Sequence, residues 1–113
     1  AVKGAAALEA VWARGDVLLA ETKYDGERVQ LHRAGASLAA FSRNLRPLPA
    51  WKLDGVREAV LRATARCPRA VLDAELLAAD PASGRPLEFG TLGAQRFAEL
   101  AAAGRAQLQV VVF

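Results

Sequence analysis

Six consecutive residues, Lys23-Tyr24-Asp25-Gly26-Glu27-Arg28, bring together side chains that covalent nucleotide chemistry requires. They spell K-x-D-G-x-R. An apolar run, Val17-Leu18-Leu19-Ala20, precedes them, and an alternating one, Val29-Gln30-Leu31-His32, follows. That context puts the lysine at a strand end, beside a glycine that permits a tight backbone turn and an arginine suited to phosphate. A lysine so placed can act as a nucleophile toward a nucleotide once its amine has lost a proton. Free lysine, with a pKa near ~10.4, is almost wholly protonated at neutral pH. Burial or a neighbouring cation lowers that value and exposes the lone pair. Read alone, the same six residues also describe a surface lysine paired with Asp25 or Glu27, because short motifs recur by chance.

Other candidates gain weight from spacing. Glu21 stands two residues before Lys23, on the same face of a strand. Asp73 and Glu75 likewise share a strand face, while Leu72, Ala74 and Leu76 line the other. Carboxylates inside an apolar strand are costly unless paired, hydrogen-bonded or metal-bound; the other reading is a strand with one wet face. Arg43 follows Phe41-Ser42 and faces a loop rather than a core. A single cysteine and a single histidine exclude a zinc site and an internal disulfide framework, and fit a reducing compartment. Cys67, before Pro68 at a helix end, reads as a buried or inert thiol, and His32 as exposed or satisfied on the polar side of its strand.

The elements that must position these residues follow from periodicity. The pattern predicts a helix over 5–14 ended by Gly15, then strands over 17–22, 28–33 and 37–42, the last two joined through Ala34-Gly35. Pro47 and Pro49 make 43–49 a loop. Asp54 is expected to cap a helix to about residue 65, with Val56, Val60, Ala59 and Ala63 on one face and Pro68 beyond its end. A strand over 70–79, a turn at Asp80-Pro81-Ala82-Ser83-Gly84, a hairpin arm over 86–89, a helix over 94–103 and a strand over 107–113 complete the chain. Trp12, Trp51 and Phe97 are expected to pack. Strands in runs rather than strict alternation with helices give an α+β class with an antiparallel sheet.

At 113 residues the chain allows one domain. Its 53% hydrophobic and 24% charged content describe a globular sequence, although alanine inflates the first figure. A net charge of +3 is a mild bias toward polyanions and decides nothing by itself. No stretch approaches the ~20 apolar residues of a membrane-spanning helix, and Glu9, Arg14 and Asp16 interrupt the N-terminal apolar start, against a secretory signal.

The motifs, taken in order, resemble the ATP-dependent DNA ligase family. Glu21 to His32 resembles its nucleophile box, Phe41-Ser42-Arg43-Asn44-Leu45-Arg46-Pro47 its next box, and Val71 to Leu77 the box centred on a glutamate. Gly84 to Gly93 resembles a segment typical of the DNA ligase III branch, and Leu108 to Phe113 the strand that ends in an adenine-stacking aromatic. The resemblance implies an ATP-grasp-like nucleotidyltransferase fold, residues 1–113 being a partial adenylation domain incomplete at its C-terminus. It implies that Lys23 takes AMP from ATP, that Glu21 recognises the adenine amino group, and that Arg28 and Arg43 clamp ribose and phosphate oxygens. It further implies that Glu75 contacts ribose or Mg2+ with Asp73 in support, and that Phe113 stacks on adenine. Arg46 receives no role. The implied partners are ATP and nicked double-stranded DNA, in replication, recombination or repair, with a nuclear or mitochondrial location and no membrane.

Several elements of the family pattern do not occur in these residues: a later glutamate-glycine box, a K-x-K lysine pair, an oligonucleotide-binding-fold domain and an N-terminal DNA-clamping domain. With no methionine at position 1 and an end inside a strand, the sequence reads as a fragment. By itself it is expected to adenylate poorly or not at all. The alternatives are an RNA ligase or capping guanylyltransferase, which shares the chemistry, and a non-catalytic remnant that keeps the fold.

Overall fold

A computed structural model describes residues 4–15, 17, 21–88 and 90–113. The elements are α1 (Ala5–Trp12), β1 (Glu27–Ala34), β2 (Ser37–Ser42), α2 (Ala50–Ala63), β3 (Arg69–Ala79), α3 (Ala94–Ala102) and β4 (Gln107–Val112). The strand expected over 17–22 lies in part outside the described residues, and residues 21–25 have no regular structure. Of the expected arm over 86–89, Pro86 bridges Ala79, and position 89 lies outside the described residues.

The strands form one antiparallel sheet in the order β2-β1-β3-β4. Gly35, at φ 62°, opens the tight turn between β1 and β2, a left-handed conformation that costs glycine little. Alternation along the strands then sorts their side chains. Val29 and Leu31 of β1, Leu38 and Ala40 of β2, and Ala74 and Leu76 of β3 are buried together against Val56 and Val60 of α2. Each fully buried leucine of this set contributes about 1.5–3 kcal/mol, so Leu31 and Leu76 anchor the two central strands.

Four expectations need correction. Asp54 does not cap α2; the helix starts a turn earlier, with Pro49 as its N-cap residue, and the Pro49 carbonyl accepts from Lys52 and Leu53. Asp54 instead approaches Arg57 at 3.6 Å within the helix. Ala59 and Ala63 are exposed, so Val56 and Val60 alone of the expected face are buried. Trp12 is 71% exposed, because α1 buries no residue among those described. Of the two readings of Cys67 as a buried or an inert thiol, burial does not hold, for the residue is exposed. The C-terminus of α2 is latched from the sheet: Arg33 donates to the carbonyl oxygens of Leu61 (3.0 Å) and Thr64 and to the Thr64 hydroxyl (2.7 Å). A cation there satisfies carbonyls that a helix end leaves without partners.

Candidate active site

The sheet face opposite α2 carries the polar residues. Arg28 of β1 lies opposite Glu75 of β3 in the ladder, and Gln30 opposite Asp73. One diagonal of this square is an ion pair: Arg28 Nε donates to Asp73 Oδ1 at 2.9 Å, and a second guanidinium nitrogen donates to Oδ2. The fork fixes the arginine's plane. The hydrogen bond from Arg28 holds the Asp73 carboxyl below the usual carboxylate range, and the same pairing raises the arginine further. Asp73 therefore orients Arg28, whereas the expectation placed it in support of Glu75.

Glu75 does a different job. Its Oε1 accepts the backbone N–H of Gly26 at 3.2 Å, tying the segment that carries Lys23 to β3. Gly26 is needed for this approach. A Cβ there would lie 2.2 Å from the Leu76 carbonyl oxygen and 2.6 Å from Leu77 Cδ2. The glycine of the K-x-D-G-x-R motif is thus required by close packing against β3.

A second anchor comes from the α2 side. Lys52, only 7% exposed, reaches Glu27 with Nζ at 2.5 Å from Oε1 and 2.7 Å from Oε2. The same ammonium sits 5.2 Å from the centre of the Trp51 ring, and Trp51 stacks on Phe97 of α3 at 5.1 Å. Trp51 and Phe97 pack as expected. Reading the sequence missed Lys52, yet a signal was present. Lys52, Val56 and Val60 recur every four residues on one helical stripe, and Glu27, Val29 and Leu31 alternate onto one strand face. A lysine and a glutamate on two inward faces identify each other.

The six residues expected to form a nucleotide site come together. Glu21, Lys23, Arg28, Arg43, Glu75 and Phe113 line one open cleft of about 620 Å³, with Thr22 and Tyr24. Arg43 reaches the rim from a tight turn in which Ser42 N–H donates to the Arg46 carbonyl and Leu45 N–H to the Ser42 carbonyl. Leu45 closes that turn at φ 58°, a left-handed conformation that leucine rarely adopts. Phe113 is held by its N–H to the Asp73 carbonyl at 3.1 Å, and its ring is exposed. Lys23 has a side chain 89% exposed, with Nζ 4.0 Å from Asp25 Oδ1. The cations Arg28 and Arg43 share its cleft. His32 is half-buried and satisfied, 2.8 Å from Gln30 Oε1 with its edge toward Phe41.

Among the described residues no group of three or more acidic, histidine or cysteine side chains could by itself hold a metal ion. Glu75 nevertheless keeps one carboxylate oxygen beyond its bond to Gly26. That suits Mg2+, which commonly takes one or two carboxylates and completes its shell with waters and substrate phosphates.

Comparison with known proteins supplies the family. Residues 2–113 match the model of the ATP dependent DNA ligase domain. The DNA ligase of Lymantria dispar multicapsid nuclear polyhedrosis virus is 53% identical over 75 residues, covering 66% of this chain and 14% of that protein. DNA ligase 3 of Dictyostelium discoideum is 39% identical over 94 residues, covering 83% of this chain and 8% of that protein. The chain thus spans a small part of the relatives it matches. Among solved structures, mycobacterial DNA ligase D complexed with ATP and MES shares the fold, with a TM-score of 0.57 at 23% identity, over 82% of this chain and 27% of that one. The fold is the α+β arrangement expected. On the match of nearly its entire length, the chain belongs to the ATP dependent DNA ligase domain family.

Proposed function

We propose that this chain is the adenylation core of an ATP-dependent DNA ligase, in which Lys23 accepts AMP from ATP. The observation that carries the reading is the convergence of Glu21, Lys23, Arg28, Arg43, Glu75 and Phe113 on a single cleft, although they come from widely separated parts of the chain. The Lys23 amine, having given its proton to solvent, forms an N–P bond to the α-phosphorus, and the bond to pyrophosphate breaks. Arg28, oriented by Asp73, and Arg43 stabilise the charge on the phosphoryl oxygens. Glu21 accepts from the adenine amino group, which guanine lacks at that place, and Phe113 offers a ring face to the base. Glu75 holds Mg2+, which when bound neutralises phosphate charge. AMP then passes from Lys23 to the 5′-phosphate of nicked duplex DNA, and the 3′-hydroxyl displaces it as the nick closes. The family match and a structural neighbour complexed with ATP support this reading.

Mass spectrometry of the full-length protein after ATP and Mg2+ tests it. One added AMP on the peptide bearing Lys23 is expected, and none after Lys23→Ala. An adduct that persists in Lys23→Ala removes the proposal.

A further inference from the structure

The segment carrying Lys23 joins the sheet at Gly26 and Glu27, and that junction is clamped from both faces. On the cleft side Glu75 takes the Gly26 N–H. On the opposite side Lys52, from the first turn of α2, takes both oxygens of Glu27. Residues 21–25 have no regular structure of their own, and the Lys23 ammonium makes a distant approach to Asp25. The position of Lys23 is therefore set by where this segment meets β1.

An apolar side chain at position 52 would continue the buried stripe of Val56 and Val60 and avoid taking a charge out of water, which is costly even when the charge is paired. A methionine there could not grip a carboxylate through two oxygens. The pair instead fixes the residue between Gly26 and Arg28, so it bears on the nucleophile side and the phosphate-binding side of the motif together.

We propose that Lys52 is a positioning residue for Lys23, acting through Glu27 from the side of the sheet that the nucleotide does not touch. The proposal rests on the reading of Lys23 as AMP acceptor. Lys52 touches neither substrate nor reacting atoms; its effect falls on the rate of adduct formation rather than on ATP capture.

The experiment is a double-mutant cycle in the full-length protein with Lys52→Met, Glu27→Gln and the double variant, measuring single-turnover AMP transfer to Lys23 against ATP concentration. Misplacing a reactive group by about an ångström costs up to about a hundredfold, so Lys52→Met is expected to slow the maximal rate about tenfold or more. Half-saturation by ATP should stay within about threefold, and the double variant should be no slower than the slower single. Without ATP, amide hydrogen exchange over residues 21–28 should quicken in Lys52→Met while the core of β3 keeps its protection. An unchanged maximal rate, losses that multiply in the double variant, or exchange quickened equally throughout the sheet would each overturn the proposal. Absence of any adduct in the unaltered protein would instead remove the functional reading, and the exchange measurement would still decide whether Lys52 holds the segment.

Discussion

Gly26 lies against the Leu76 carbonyl so closely that a Cβ would sit 2.2 Å from the oxygen. The obstacle is backbone in a central strand, with fully buried Leu76 on one side and Leu77 on the other, so it cannot swing aside. Gly26→Ala is therefore expected to destabilise by about 1–3 kcal/mol, the usual cost of overpacking, and to weaken the bond to Glu75. Urea unfolding measures the first effect and AMP labelling of Lys23 the second. A variant with unchanged midpoint and labelling would mean the segment approaches β3 less closely than described.

The Glu27–Lys52 pair is asymmetric, and its two partners should differ when removed. Lys52 is buried, whereas the Glu27 side chain is 46% exposed. Glu27→Ala strands a buried ammonium and should cost about 3–5 kcal/mol, the range for orphaning a buried charge. Lys52→Met leaves a carboxylate that water can reach and should cost clearly less. Chemical denaturation of both variants ranks them; the reverse order would show that the ammonium has another route to solvent.

Acid should loosen the sheet through two carboxyls. Hydrogen bonding from Arg28 lowers Asp73, and the backbone N–H of Ser83 followed by its hydroxyl lowers Asp80. Both groups titrate lower folded than unfolded, so the unfolded chain binds more protons near pH 4. Their stabilisation is present above the unfolded value of ~3.9 and is lost as pH falls through the lower folded values. Denaturant midpoints measured from about pH 6 down to about pH 2.5 should drop chiefly below about pH 4. Asp73→Asn and Asp80→Asn should each make the drop shallower. If neither alters its slope, the acid sensitivity has another source.

Arg33 provides a contrast far from the cleft. It binds the last carbonyls of α2, and Arg33→Ala should lower stability by about 1–2 kcal/mol, with fraying confined to the end of that helix. Labelling of Lys23 at saturating ATP should be unaffected. A slowed reaction would tie the far end of α2 to the site.

The positions of β1 to β4 were legible in the sequence because alternation specifies them, whereas the six cleft residues were picked out by the order of motifs that resemble the ligase family. β2 fell at residues 37–42 as expected, and carboxylates embedded in an apolar strand marked Asp73 and Glu75 together, the resemblance alone setting Glu75 apart. What escaped depended on contacts between distant parts of the chain. The start of α2 is held by Trp51 and Lys52, whose partners Phe97 and Glu27 lie far away in sequence, so local preference, which points to Asp54, misplaces the cap. The fork from Arg28 to Asp73 crosses a ladder diagonally, and a one-dimensional pattern cannot choose between Asp73 and the directly opposite Glu75. Trp12 reads as packing by residue type, but α1 offers it no buried neighbour among the described residues.

Along β1, odd positions turn toward α2 and even positions toward the opposite side of the sheet, where Arg28 lines the cleft. Inserting one amino acid near Val29 would trade these duties at a stroke, sending Arg28 or its neighbours inward and the valine and leucine outward. A point change in this strand disturbs one contact, whereas a change in its length moves every later side chain to the wrong face of the sheet.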